Sequence, residues 1–167
     1  MFEFVANEMA LKCLTENKLK NFQAIWELEA GWFEERNVRR GGWSGVSQYA
    51  VNNEKTLFIK RQENHCYRAW NSFFLPVATF YREFKNIQRF VRSGVPTLEL
   101  LYYGQRKEKG KLQAILVTDE LDGYFPLDSV QFKKQLEVDF KLRQLVIKKI
   151  AEVVWLMHEQ HFQHNCL

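Results

Sequence analysis

The sequence predicts an α+β fold, in which a small antiparallel sheet with one packed helix is followed by a helical segment. Short runs of β-branched and aromatic residues alternate with glycine- and asparagine-rich turns between residues 31 and 118. Apolar residues recur at intervals of three and four over residues 76–92 and again over 142–157, as in amphipathic helices. Because no crossover helix separates the first three strands, a doubly wound parallel sheet is excluded.

The predicted sheet has five antiparallel strands. Three of them lie within residues 31–62, joined by a glycine-rich turn at residues 41–45 and by a second turn at Asn52-Asn53. After the helix, two more strands are expected over residues 98–103 and 112–118, separated by a basic turn.

The chain is expected to divide into three parts. Residues 1–30 form an N-terminal helical segment, residues 31–121 contain the sheet and its helix, and residues 122–167 are helical. The last part carries an apolar stripe, typical of a helix that packs against other elements. The stripe consists of Leu142, Leu145, Val146, Ile150, Val153, Val154 and Met157.

Composition excludes several classes of protein. With 167 residues, 46% of them hydrophobic and 15% aromatic, the chain can bury a core and is not intrinsically disordered. Its three cysteines (Cys13, Cys66 and Cys166) are scattered and odd in number, unlike those of a disulfide scaffold. No apolar run approaches the ~18 residues of a membrane span. The first residues lack the bases of a secretory signal, so we expect a cytoplasmic protein.

Positive charge is concentrated in the middle of the chain. Residues 31–111 contain 15 basic and 7 acidic residues, whereas the segments on either side are net acidic. Such a region favours an anionic partner, which could be a phosphate, a nucleic acid or an acidic lipid head group. A well-solvated basic face is the alternative interpretation.

Three features of this region combine into a phosphate-binding pattern. The turn Gly41-Gly42-Trp43-Ser44-Gly45 can bring backbone N–H groups close to phosphate oxygens. Lys60 ends an apolar strand, and Glu83 in the following helix would hold its ammonium group. Alone, each is usually an ordinary hairpin turn, a solvent-facing lysine or a surface glutamate. Together they are typical of the ATP-holding half of a protein kinase.

Several motifs resemble the bacterial lipopolysaccharide kinase family (Kdo/heptose kinase, InaA/WaaP-like), and within it the InaA branch. The similarity runs from about Gly31 to the last residue. It is carried by Arg39-Arg40-Gly41-Gly42-Trp43-Ser44-Gly45-Val46, Leu57-Phe58-Ile59-Lys60-Arg61-Gln62-Glu63-Asn64-His65, Arg82-Glu83, Leu116-Val117-Thr118-Asp119-Glu120-Leu121-Asp122-Gly123, Met157-His158 and Gln163-His164-Asn165-Cys166-Leu167.

The resemblance implies a protein-kinase-like fold, with a nucleotide-binding lobe over residues 31–121 and the start of a helical second lobe over 122–167. It also implies ATP and Mg²⁺ as cofactors, and phosphorylation of the sugar core of lipopolysaccharide or of another anionic acceptor. For a lipid-linked acceptor we expect peripheral contact with the inner face of the inner membrane. No nucleic-acid partner is expected.

The resemblance also assigns roles to individual residues. Lys60 would hold the α- and β-phosphates, and Glu83 would pair with Lys60. The backbone of Gly41, Gly42, Trp43, Ser44 and Gly45 would form the loop over the phosphates. Glu120 and Leu121 would lie at the hinge, where backbone groups meet the adenine. His164 matches the histidine that opens the catalytic loop.

The sequence departs from the family pattern near its end. Cys166 stands two residues after His164, where a kinase has its catalytic aspartate, and the metal-holding Asn and Asp would come after Leu167. We therefore expect a truncated member that binds nucleotide, does not transfer phosphate and self-associates through its apolar stripe. The alternative is a non-catalytic pseudokinase-like protein or a nucleic-acid- or anion-binding module.

The histidines near the end invite a second interpretation, as a zinc site. His158, His161 and His164 lack the four-residue spacing of the HExxH motif. No physiological metal site is therefore expected from this chain's own residues.

Overall fold

The computed structural model describes residues 1–39, 41–51, 55–68 and 76–163. The chain divides into two compact units, the first made of Met1–Gln88 with Leu98–Glu120 and the second of Arg89–Thr97 with Leu121–Leu167. In chain order the elements are β1 (Phe2–Val5), α1 (Glu8–Glu16), α2 (Phe22–Trp26), β2 (Asn37–Arg39), β3 (Gly42–Val51), β4 (Lys55–Glu63), β5 (Cys66–Arg68), β6 (Pro76–Ala78), α3 (Thr79–Arg92), β7 (Leu100–Glu108), β8 (Lys111–Asp119), α4 (Val130–Val138) and α5 (Phe140–Glu159).

The first unit is built on a six-stranded antiparallel sheet in the order β1-β7-β8-β4-β3-β2, counted over the described residues. Strands β5 and β6 form a separate two-stranded ladder. Strand β4 therefore lies inside the main sheet, hydrogen-bonded to β3 along one edge and to β8 along the other.

Helices cover both faces of the main sheet. Because side chains alternate along a strand, Leu57 and Ile59 of β4 point to one face while Lys60 points to the other. On the first face, Leu57 and Ile59 are fully buried in a core with residues of α1 and α2. On the second face, α3 buries Phe80, Phe84 and Ile87 against residues of β7 and β8.

The sheet has one strand more than the five predicted. The additional strand is β1, which comes from the segment expected to be helical and pairs with Tyr102–Gln105 of β7. Helix α3 begins at Thr79 rather than at residue 76, since residues 76–78 form β6. Strands β7 and β8 are longer than expected, which shortens the predicted basic turn to Lys109-Gly110. The turn predicted at Asn52-Asn53 lies outside the described residues.

The second unit contains the long helix predicted near the end of the chain, α5. Asp139 caps it, because the Asp139 carboxylate accepts a hydrogen bond from the backbone N–H of Leu142. Of the predicted apolar stripe, Met157 is buried, whereas Leu145 is 53% exposed. A groove of about 700 Å³ runs along this stripe, and its lining also includes Phe90, Val95, Pro96, Tyr124, Leu127 and Lys149. Within the described ranges, none of the helices combines the length and apolar character needed to cross a bilayer.

Arg61 ties the N-terminal segment to the sheet. Its side chain is on the face of β4 opposite Lys60, and the residue is only 6% exposed. The guanidinium donates hydrogen bonds to the backbone carbonyls of Trp26 (3.0 Å) and Leu28 (2.8 Å) and to the hydroxyl of Ser47 (3.0 Å). It also lies 4.8 Å from the centroid of the Trp32 ring. These contacts fix the chain that follows α2 onto the sheet.

Arg61→Ala should therefore destabilise the first unit. The substitution removes three hydrogen bonds, to the partly buried carbonyls of Trp26 and Leu28 and to the buried hydroxyl of Ser47, and we expect a loss of about 2–3 kcal/mol in the free energy of unfolding. Urea denaturation followed by tryptophan fluorescence measures this loss. Arg39→Ala, at an exposed position of β2, is the control and should change the free energy by less than about 0.5 kcal/mol. Equal losses in the two variants would contradict the anchoring role.

Candidate functional site

An ion pair between strand β4 and helix α3 lies at the centre of the candidate site. The Lys60 ammonium donates to Glu83 Oε1 at 2.5 Å, so the structure contains the expected pairing of these two residues. Their side chains are 22% and 32% exposed. The pair is therefore partly open to solvent.

The sheet holds Lys60 in place. Lys60 lies opposite Val46 of β3 and Leu116 of β8, so its strand is paired along both edges and its backbone is restrained. Phe58 shares the face of Lys60, and its ring meets that of Phe33 edge-on with centroids 5.6 Å apart. The lysine is thus flanked by an aromatic pair on its own face of the sheet.

Core packing holds Glu83. The neighbouring Phe84 is 2% exposed and stacks on Tyr103 of β7, with ring centroids 4.4 Å apart. Phe80 and Ile87 extend the same buried face of α3. Glu83, one position before Phe84, lies at the edge of this face and reaches Lys60 across the gap between helix and sheet.

The first two glycines of the predicted loop lie in the hairpin of β2 and β3, one in its turn and one where it packs against a neighbouring turn. Gly41 has φ +74°, a left-handed conformation that favours glycine in the turn between β2 and β3. A Cβ on Gly42 would lie 2.4 Å from the backbone of Asn64, so the hairpin packs tightly against the turn that follows β4. Arg40, between the two strands, lies outside the described residues.

Trp43 and Gly45 face away from Lys60. The Trp43 ring contacts those of Trp26 and Trp32, with centroids 5.6 and 5.7 Å apart, on the face covered by the N-terminal segment. A Cβ on Gly45 would lie 2.6 Å from the Trp32 ring. Gly45 is therefore a site of close packing on that face. Among the five residues of the predicted loop, Ser44 is the one whose side chain shares the face of Lys60, because it lies opposite Gln62.

The two predicted hinge residues fall where one unit ends and the other begins. The backbone N–H of Glu120, the last residue of the first unit, donates to the carbonyl of Thr56 at 3.0 Å. The carbonyl of Leu121, in the second unit, accepts from the N–H of Tyr124 at 3.4 Å. His164, predicted for the catalytic loop, lies outside the described residues, as does Cys166.

Other titratable groups of the first unit serve the fold. Glu63, which ends β4, accepts from Lys111 at 2.7 Å and from Gln113 at 2.9 Å, and these hydrogen bonds lower the pKa of the Glu63 carboxyl. Burial raises the pKa of the thiols of Cys13 and Cys66, so neither is activated as a nucleophile. No cluster of three or more metal-ligating side chains occurs in the part of the chain that the structure describes.

Gln62 was not predicted as a site residue. This residue lies two positions after Lys60 on the same face and is 0% exposed. A signal for it was present in the sequence, since Gln62 is an amide side chain on the inward-facing side of an inner strand. A buried amide requires hydrogen-bond partners, so such a residue is expected to make specific contacts.

A strand lysine paired with a glutamate of the packed helix, next to a glycine hairpin, is the arrangement typical of the first lobe of protein-kinase-like folds. The model of the lipopolysaccharide kinase (Kdo/WaaP) family matches residues 23–167. The chain is 30% identical over 151 residues to Protein InaA of Escherichia coli (strain K12), a match that covers 89% of this chain and 68% of that protein. The chain therefore belongs to the lipopolysaccharide kinase family, as its motifs predicted.

A solved structure supports the same fold. The chain is similar to WaaP in the structure of WaaP in complex with acyl carrier protein, with a TM-score of 0.62 and 18% sequence identity. The similarity covers 95% of this chain and 57% of that chain, so this chain spans a little over half the length of the solved one. The predicted α+β, kinase-like fold is confirmed.

Gly45→Ala tests the packing role of this glycine. The added Cβ would collide with the Trp32 ring, and we expect a loss of about 1–3 kcal/mol in the free energy of unfolding together with a changed tryptophan emission spectrum. Gly31→Ala is the matched control, because nothing lies within 4 Å of the Cβ it would add. A fully stable Gly45→Ala variant would contradict the close contact with Trp32.

Proposed function

We propose that this chain contains the nucleotide-binding lobe of a lipopolysaccharide kinase and binds Mg-ATP on the Lys60 face of the sheet. The Lys60–Glu83 ion pair carries the proposal. Family membership favours a sugar of the lipopolysaccharide core as the acceptor.

The chemistry of the pair fits a phosphate site. An ammonium group is a compact positive charge with three donors, and it forms strong charge-assisted hydrogen bonds to phosphate oxygens. In the structure Glu83 accepts from Lys60 at 2.5 Å, which orients the ammonium before any ligand arrives. The exposed part of Lys60 is then available to the α- and β-phosphates, the role this lysine has in protein kinases.

Residues beside Lys60 support a binding site for the adenine base of ATP. Phe58 stands two positions before the lysine, where the V-A-I-K motif of protein kinases has alanine. Its ring offers an apolar wall on which a purine can stack. Because the N–H of Glu120 already donates to Thr56, we propose that the base meets the carbonyl oxygen of Glu120.

The side chains of this lobe suit the phosphates of ATP better than they suit Mg²⁺. The partly exposed Lys60 ammonium suits the nucleotide phosphates, whereas no group of acidic side chains in the described ranges is arranged to hold a metal ion. Mg²⁺ would therefore arrive on the phosphates, whose charge it neutralises. The net positive charge of residues 31–111 favours the approach of anionic molecules in general. We extend this proposal to a protein partner, since WaaP has been solved in complex with acyl carrier protein.

Lys60→Ala should weaken the binding of Mg-ATP by about tenfold or more, because it removes a charge-assisted contact to the phosphates. Isothermal titration calorimetry measures the dissociation constant. Lys107→Ala, at an exposed position of β7, is the control and should bind like the wild type.

Two outcomes of this titration would count against the proposal. Equal affinity of wild type and Lys60→Ala for Mg-ATP would remove the assigned role of the lysine. Equal binding of Mg-ATP and inorganic triphosphate, together with a steep loss of affinity in salt, would favour a general anion-binding module instead.

A further inference from the structure

Strand β4 carries a second polar side chain on the face of Lys60. Gln62 is fully buried, and both ends of its amide are hydrogen-bonded. Its Nε2 donates to the backbone carbonyl of His65 at 2.5 Å, and its Oε1 accepts from the backbone N–H of Phe80 at 2.9 Å. The orientation of the amide follows from these partners, because a carbonyl requires a donor and an N–H requires an acceptor.

The Phe80 N–H belongs to the first turn of α3. The first amides of a helix have no partner within it and are usually satisfied by a side chain at the preceding position. Ala78, which precedes α3, has no acceptor in its side chain. The first amides of α3 therefore use partners outside the helix. The N–H and the hydroxyl of Thr79 donate to the His65 carbonyl, at 3.2 and 2.9 Å, and the N–H of Phe80 donates to Gln62 Oε1.

The turn that supplies the His65 carbonyl is itself fixed to the sheet. Asn64 has φ +52°, its N–H donates to the carbonyl of Leu112 at 2.8 Å, and its side-chain oxygen accepts from the N–H of Leu112 at 2.9 Å. Gly42 packs against the same turn from the other side. The beginning of α3 is therefore hydrogen-bonded to β4 directly and is linked to β8 through the turn at Asn64 and His65.

The contact between Gln62 and Phe80 runs beside the Lys60–Glu83 ion pair. Along β4 the two side chains are two residues apart, a separation of about 7 Å. Along α3 Phe80 and Glu83 are three residues apart, a rise of about 4.5 Å. Two neighbouring contacts thus connect the same strand to the same helix, and the buried one lies about one helical turn before Glu83.

We propose that Gln62 is a positioning residue of the nucleotide site, which fixes the first turn of α3 so that Glu83 meets Lys60. The proposal rests on the proposed function for its consequence in ATP binding. Its structural part, the dependence of the ion pair on Gln62, is measured without a nucleotide.

A water-soluble carbodiimide gives that measurement, because it activates a carboxylate as an O-acylisourea, which an amine in direct contact attacks to form an amide while the carbodiimide leaves as its urea. The yield of the Lys60–Glu83 cross-link is quantified by mass spectrometry relative to the Lys149–Glu152 pair, which lies 2.8 Å apart on α5. In Gln62→Leu, which loses both hydrogen bonds, we expect the relative yield to fall by at least about threefold and the dissociation constant for Mg-ATP to rise by about tenfold. Gln62→Glu keeps an acceptor for Phe80 but not a donor for His65, so its values should be intermediate.

Gln113→Leu is the matched control. Gln113 is also a buried glutamine (6% exposed), on the neighbouring strand, and its amide bonds to Arg106 and Glu63 rather than to α3. We expect it to lose stability in urea as Gln62→Leu does, while keeping the Lys60–Glu83 cross-link and the affinity for ATP.

The outcomes separate the two proposals. An unchanged cross-link in Gln62→Leu, or an equal loss in Gln113→Leu, overturns the positioning role. If Gln62→Leu does not fold, the comparison of Gln62→Glu with Gln113→Leu decides in the same way. A wild-type chain that forms the cross-link in a Gln62-dependent manner but binds no ATP supports the positioning role and overturns the nucleotide proposal alone.

Discussion

The ion pair between Lys60 and Glu83 is the contact on which the candidate site depends, since it joins an inner strand of the sheet to the helix packed on that face. An ion pair with side chains this exposed contributes about 0–1 kcal/mol to folding, which is too little to explain it as a source of stability. Orientation of a charge is the better explanation. The pair holds an ammonium group at one place on a rigid strand, where a phosphate can meet it.

The end of β4 shows how a strand distributes such contacts. Its last four side chains reach different partners. Lys60 and Gln62 bind Glu83 and the first turn of α3, Arg61 binds the carbonyls of Trp26 and Leu28, and Glu63 binds Lys111 and Gln113 of β8. Alternation along the strand sends Lys60 and Gln62 to one face and Arg61 to the other. A short segment inside the sheet therefore positions both helical layers.

Local patterns in the sequence were enough to predict the inner strands, α3 and α5, because alternation and helical spacing can be seen within a few neighbouring residues. The pairing of Lys60 with Glu83 was instead predicted from the kinase-like combination of motifs and from the family resemblance. Strand β1 was not predicted, because Phe2–Val5 pairs with Tyr102–Gln105, about a hundred residues away, and contains no turn signal of its own.

The contact partners of the glycines could not be predicted from the sequence either. Their residue type indicates a close approach or an unusual backbone conformation, but not what approaches. At Gly42 it is the backbone of Asn64, and at Gly45 it is the Trp32 ring, on the face away from Lys60. The roles of these glycines toward a nucleotide stay predictions, as do those of Glu120, Leu121 and His164.

A double-mutant cycle on ATP binding tests the central claim most directly, with Lys60→Met, Glu83→Gln and the combined variant titrated with Mg-ATP. If Glu83 acts by orienting Lys60, the combined variant should bind ATP no more weakly than Lys60→Met alone, because nothing is left to orient. Losses that add in full would contradict the account, since Glu83 would then affect the nucleotide independently of the lysine.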